Sequence, residues 1–408
     1  MSEPPAREPA GGRLSAIFLT VFLDLLGFGL VMPLLPRYAQ TLNASPLQIG
    51  LLGASYSAMQ FIFVPVWGRL SDRVGRRPVL LSSILATSGA MLMLGFAHSL
   101  LWLFIARLFG GIATANIATA QAYIADTTSP TTRARGMGLI GMAFGLGFVF
   151  GPFFGGILST ISLETPARVA AVLALLNFLW ALRALPESLP KQLRQSRTTK
   201  GLRLGLDPRS LSETFSVPGL GIVIVLFFIV TLSFANLEQT FALYAHDEFR
   251  LDSKATGYIL GVVGLIAATV QGGLIGPLNR RFGELRLIRM GTFLQTAGFA
   301  LVALAAGRGL GALYGAIIVM SLGNGLTNPS LSSLASKRAP ADAQGAALGV
   351  LQSMGALARV FGPTWGGFIY GFGHRLPYVT GSIGLAIAWL MAFGIRPTST
   401  VTPPAPSG

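Results

Sequence analysis

Four charged side chains stand inside otherwise apolar runs. They are Asp24 in FLTVFLDLLGFGLVMPLLPRYA (residues 18–39), Arg107 in LFIARLFGGIATANIATAQAYIAD (103–126), Glu238 in LSFANLEQTFALY (232–244) and Arg359 in MGALARVFGP (354–363). A carboxylate at the centre of a hydrocarbon layer costs about 2.5–3.5 kcal/mol on insertion scales, so such a residue marks a pathway or a site by default. Asp24 is either a proton or cation site or a structural carboxylate locked to Arg107. Arg107 is either a coupling residue or an arginine satisfied by a carbonyl or by reaching outward along its stem. Glu238 is a second proton or cation site or a rim residue, and Arg359 is placed to balance it. Asn236 and Gln239 flank Glu238, and Asn116 and Gln121 follow Arg107; all four offer hydrogen-bonding groups to a ligand.

Two further stretches carry chemistry of a mechanical kind. GRLSDRVGRR (68–77) holds four arginines, Arg69, Arg73, Arg76 and Arg77, around the single acid Asp72, between Gly68 and Gly75. Asp72 can cap a helix N-terminus or pair with arginine. In GLIGMAFGLGFVFGPFFGG (138–156), Gly147, Gly151 and Gly155 recur every fourth residue, a face on which two helix backbones can touch. Pro152 removes a helical hydrogen bond beside them and permits a bend, and Gly156 follows. FGPTWGGFI (361–369) repeats the pattern with Gly362, Pro363, Gly366 and Gly367.

Other chemistries are excluded. The chain has no cysteine, so disulfides and thiolate sites cannot form. His98, His246 and His374 share no spacing, so no metal site is expected. No G-x-x-x-x-G-K-[ST] occurs, and neither ATP nor any other cofactor is expected. The net charge of +15 is spread over short loops rather than one amphipathic face, which argues against a nucleic-acid partner.

The elements that must position these residues follow from hydropathy. Of 408 residues, 52% are hydrophobic and only 11% charged, so most of the surface is expected to face lipid. Apolar runs of about 20 residues predict twelve spans, near 14–38, 46–68, 78–97, 100–122, 134–158, 166–186, 217–244, 255–278, 287–306, 309–331, 344–370 and 375–395. Alternating the loops places 22 of the 30 Lys and Arg on one side and six on the other, so both termini are expected in the cytoplasm. Residues 52–77 lie over 260–285, and 150–158 over 361–369, which divides the chain into six-span halves at 14–186 and 217–396. A basic linker, 187–216, joins them, and disordered cytoplasmic tails are expected at 1–13 and 397–408. A 6+6 repeat is the layout of a secondary transporter with its site between the halves.

Family features fit this frame. The loop 68–77 closely resembles the major facilitator signature G-x-L-x-D-R-x-G-R-R, and Arg107 with Gly111 resembles the family's fourth-helix R-x-x-x-G. The run 147–156 resembles the fifth-helix motif of the family's antiporters, and FLDLLGFGLVMPLLPRY resembles the first helix of bacterial tetracycline-type proton antiporters. The resemblance, covering nearly all of 14–395, implies an all-α fold of twelve transmembrane helices in two pseudo-symmetric bundles. It implies proton-driven export of an amphipathic drug-like compound across the inner membrane by a monomer whose partners are lipid, protons and substrate. It also implies that Asp24 lies in a central cavity. Asp72 would meet the start of the eleventh span, and Arg73 or Arg76 would meet Asp126. The second-half loop, GPLNRRFGEL, lacks a matching Asp, so its copy of this latch is expected to be degraded. A proton symporter importing a metabolite is the alternative within transport, and a non-transporting receptor the alternative outside it.

Overall fold

The computed structural model describes residues 10–114, 116–128, 130–189, 215–340 and 344–395, and every regular element among them is helical. Residues 1–9, the expected C-terminal tail and most of the expected linker lie outside these residues, while 10–13, expected in the N-terminal tail, open the first helix instead. Nine described helices are long and apolar enough to cross a bilayer, and two shorter apolar helices, Leu100–Ala113 and Leu376–Met391, accompany them. Large apolar side chains such as Leu101, Leu176 and Ile383 point outward, as a lipid-facing surface requires.

In the first half the spans are Ala10–Val31, Pro46–Val74, Arg76–Gly95, Leu100–Ala113 with Asn116–Thr127, Pro130–Leu158 and Thr165–Ala184. In the second they are Leu220–Phe249, Ser253–Phe282, Glu284–Ala305, Leu310–Arg338, Gln344–Tyr370 and Leu376–Met391. Pairings repeat between the halves: first with fifth and sixth, third with sixth, and second with fourth are matched by seventh with eleventh and twelfth, ninth with twelfth, and eighth with tenth. Starts are written locally. Ser45 and Gln48 form a reciprocal cap on the second span, and Asp252 accepts from the Ala255 amide at 2.8 Å to open the eighth. Gly75 (φ 114°) and Gly283 (φ 74°) turn the chain at equivalent loops of the two repeats, in backbone conformations that a β-carbon disfavours.

Three spans differ from the sequence expectation. The first ends at Val31, where Pro33 withholds its amide, and a separate helix, Leu35–Thr41, carries the chain onward. The fourth breaks after Ala113; the Thr114 hydroxyl bonds back to the Gly110 carbonyl at 2.7 Å, and a second helix runs to Thr127. The eighth continues to Phe282 through a π-helical turn at Val270–Leu274. Several other helices outrun their apolar stretch; the tenth ends on Lys337 and Arg338, cations that favour a helix C-terminus.

The two ends of the bundle differ. We call the end bearing residues 68–77 the basic end, and the opposite one the far end. At the far end the halves meet backbone to backbone. A β-carbon on Gly257 would lie 2.8 Å from Gly156 Cα, and one on Gly367 would lie 2.9 Å from Gly50 Cα. This seam runs between spans five and eight and between spans two and eleven, and Gly145 still faces Ala268 at 3.5 Å midway along it. At the basic end, Gly68, Gly138, Gly141, Gly272, Gly276 and Gly349 have open space where a β-carbon would project. The halves therefore close at the far end and part at the basic end.

Candidate functional site

The site is built around Tyr56 of the second span. Asp24 is half-buried on the first span, one turn before Phe28, whose ring lies 5.5 Å from that of Tyr56. Asp24 is near enough to act electrostatically on the Tyr56 hydroxyl, which shares a 2.7 Å hydrogen bond with Thr114 at the break in the fourth span. From the other side, the Arg107 guanidinium lies 4.2 Å above the Tyr56 ring, a cation–π contact inside the protein. Arg107 is buried, and among the described residues its Nε and Nη2 have no hydrogen-bond partner. Among those residues, too, no ion pair within 4 Å joins it to Asp24. Thus Arg107 lies on the Tyr56 ring, while Asp24 acts electrostatically on the hydroxyl of the same residue from another helix. Neither Tyr56 nor Thr114 carries a charge or a motif that marks it as a site residue in the sequence.

In the second half, Glu238 is half-buried and within electrostatic reach of Arg359, which is exposed on the eleventh span. The flanking amides are engaged within the protein. Gln239 Nε2 donates to the Ile49 carbonyl at 2.8 Å, a side-chain strut between the halves, and Asn236 Nδ2 donates to the Pro377 carbonyl at 2.8 Å. Gln121 is exposed on its helix, and the side chain of Asn116 lies outside the described set.

The expected bending motif forms two seams. Gly147, Gly151 and Gly155 sit against Leu25, Gly29 and Leu30 of the first span, while Pro152 and Gly156 face Gly257 across the halves. Gly362 and Gly366 sit against the seventh span, and Pro363 lies over Gly50 of the second.

At the basic end, the latch residues converge on Arg76 rather than Arg73. Arg76 is buried; Nη2 donates to Asp72 at 2.6 Å, Nε to Asp126 at 3.0 Å and Nη1 to Ser71 Oγ at 2.5 Å. Glu187, which follows the sixth span, accepts from the Arg76 amide at 2.9 Å, and Arg77 reaches the Leu182 carbonyl. Arg73 is exposed. Residues 341–343, just before the eleventh span that Asp72 was expected to meet, lie outside the described set.

The second-half loop holds an acid in the place of that arginine. Glu284 accepts from Asn279 and Ser333, each at 3.1 Å, and pairs with Lys337. By the repeat offsets, Glu284 corresponds to Arg76 and Lys337 to Asp126, so the two latches share a geometry with their charges exchanged. The search for a matching Asp missed this; reading the aligned positions would have found it. Lys337→Glu is expected to slow turnover by setting two acids together, and Glu284→Lys with Lys337→Glu to restore it. The pair is partly exposed and worth about 1 kcal/mol or less. A double mutant as slow as the single one would show that the pairing does not matter.

The chain matches the Major Facilitator Superfamily over residues 17–363. The chain belongs to this superfamily. Among curated relatives, the class C tetracycline resistance protein of Escherichia coli is 35% identical over 87% of this chain and 88% of its own length. The class B protein of Escherichia coli is 32% identical over 96% of each chain. The solved structure of the human organic anion transporter MFSD10 is similar at 26% identity with a TM-score of 0.70, covering 95% of this chain and all of that one. Major facilitator proteins act within membranes on small molecules. The fold described above is therefore that of a multi-pass transporter with two pseudo-symmetric bundles.

Proposed function

We propose that the chain is a proton-coupled antiporter that exports an amphipathic, drug-like compound across the inner membrane. The basic end faces the cytoplasm, because most Lys and Arg gather there and cytoplasmic loops carry that excess. Both termini then lie in the cytoplasm, and the state described is open to it and closed at the periplasmic far end. The observation that carries the reading is Asp24, a half-buried carboxylate of the first span within electrostatic reach of Tyr56. Relatedness to tetracycline resistance proteins over most of the chain supports the substrate class.

The cycle is one of competition. With Asp24 deprotonated, its charge attracts a cationic or polarised substrate group entering from the cytoplasm. After the halves part at the far-end seam and close at the basic end, a proton arriving from the acidic side neutralises Asp24 and releases the substrate. Gln239 would have to surrender its bond to Ile49 in that step, while the clusters around Arg76 and Glu284, each within one half, would keep the basic end of each bundle together as it moves. The protein would work as a monomer, its halves 14–186 and 217–396 moving as units.

Direction is tested in inside-out vesicles with tetracycline as the probe. Acidifying the lumen is expected to drive the compound into it while protons leave. Movement of the compound together with protons would instead indicate symport. A second reading concerns the charge of the cargo. Arg107 Nε and Nη2, buried and without a hydrogen-bond partner among the described residues, suit an acidic group on the substrate, and the similarity to an organic anion transporter points the same way. Counterflow with matched cationic and anionic dyes separates the two.

A further inference from the structure

Six Lys or Arg residues belong to the far end: Arg37, Arg168, Arg250, Lys254, Arg308 and Arg375. Two of them are engaged. Arg168 donates to the Gly95 carbonyl at 2.8 Å and stacks on Phe96, and Arg375 pairs with Glu248 at 3.5 Å. Arg37, Arg250 and Lys254 instead line one open cavity of about 280 Å³ at the seam, together with Ser159, Thr160, Ser253, His246 and Asp252; the Ser159 and Thr160 hydroxyls donate to the Gly156 and Ile157 carbonyls. The first half supplies Arg37, Ser159 and Thr160, and the second supplies Arg250, Ser253 and Lys254. Among the described residues, no ion pair within 4 Å engages any of these three cations.

The acids here are hydrogen-bonded within the protein, and with Asp252 in the lining the three cations still outnumber it. Asp252 caps the eighth span through the Ala255 amide. Asp247 acts electrostatically on Arg37, but its oxygens accept from Tyr370 at 2.7 Å and lie 3.0 Å from His246 Nδ1. Arg250 holds its place in the left-handed backbone region (φ 56°), which is uncommon for a residue bearing a side chain. Arg37 is braced by donation to Gln40 at 2.6 Å.

Three cations drawn together across a closing seam repel one another and oppose closure. The cavity offers guanidinium and ammonium donors to an acceptor-rich anion, the chemistry that recognises phosphate. We propose that this cavity binds a phosphate group, and that the bound anion clasps the two halves together at the far end. Because each half contributes donors, the site is complete only when the seam is closed. An anion bound there therefore favours the closed state by the difference in its affinity for the two states. A free phosphate ion and the headgroup of an anionic phospholipid present the same chemistry.

The test uses the purified full-length protein. Its thermal midpoint is measured in detergent with sodium phosphate against sodium chloride of equal ionic strength. It is measured again in nanodiscs of phosphatidylglycerol against phosphatidylcholine. Stabilisation by phosphate beyond chloride is expected, with apparent affinity falling about tenfold or more in Arg250→Gln, the loss of a charge-assisted hydrogen bond. Arg308→Gln, at the same end but outside the cavity, should leave it unchanged. Stabilisation in phosphatidylglycerol alone, lost in Arg250→Gln, would identify the lipid headgroup as the source. If Arg250→Gln does not fold, Lys254→Gln serves in its place. Equal midpoints in phosphate and chloride, together with equal midpoints in both lipids, would overturn the proposal. So would a phosphate effect that both variants leave intact.

Discussion

Asp24→Asn is expected to abolish pH-gradient-driven transport while the protein remains folded. The substitution keeps the shape and hydrogen-bonding edge of the side chain and removes its ability to carry a proton. Folding should not suffer, because a neutral amide costs less than a carboxylate in a partly desolvated place. Asp24 is half-buried and acts on Tyr56 without an Arg107 ion pair, so no salt bridge between those two is broken. The thermal midpoint should therefore hold or rise, and gradient-driven uptake into proteoliposomes should fall to the leak rate. Exchange without a gradient should weaken through loss of substrate attraction, and its pH dependence should flatten. Wild-type rates in the mutant between about pH 6 and 8, where perturbed carboxylates titrate, would show that Asp24 is not the proton carrier.

Gly257→Val is expected to disable the transporter by a different route. Its β-carbon would come within 2.5 Å of the Pro152 carbonyl and 2.8 Å of Gly156 Cα, and backbone cannot yield as a flexible side chain can. Spans five and eight must separate where the halves meet, so the state closed at the far end loses population. Overpacking of this kind typically costs about 1–3 kcal/mol, enough to shift a balanced two-state equilibrium about five- to 150-fold. The chain lacks cysteine, so single cysteines introduced on either side report the shift by labelling. Labelling should rise on the far side and fall on the basic side, with turnover greatly reduced. Gly141→Val, placed where a β-carbon meets open space, should do neither. Unchanged labelling in Gly257→Val would mean that this seam does not hold the far end shut.

Much of this architecture was legible in the chain. Bilayer thickness fixes the length of an apolar run, and a lipid-facing helix must satisfy its own backbone, so the spans could be read one by one. The repeat offsets were visible because equivalent turns need the same residue, as Gly75 and Gly283 show. The family motifs marked Asp24, Arg107, the 68–77 loop and the glycine run as places of interest. Hydropathy could not see the breaks at residues 32–34 and after Ala113, because the side chains there remain apolar or small while the hydrogen-bonding pattern changes.

What only the tertiary structure decided is which groups meet. Sequence spacing could not choose between Arg73 and Arg76, since both are arginines in one loop; burial against Asp72 and Asp126 chose Arg76. It left Asp24 and Arg107 either locked together or apart, and the Tyr56 ring received the guanidinium instead. It offered Gln239 as a ligand contact, whereas the fold uses it to join the halves through Ile49. The exchanged latch of Glu284 and Lys337, and the gathering of Arg37, Arg250 and Lys254 at one seam, link residues far apart in the chain. The sequence by itself determined the spans, their repeat and the candidate charges, because each depends on local composition. Pairing, burial and the closed end depend on helix rotation and on how the two halves meet, and those are properties of the assembled bundle.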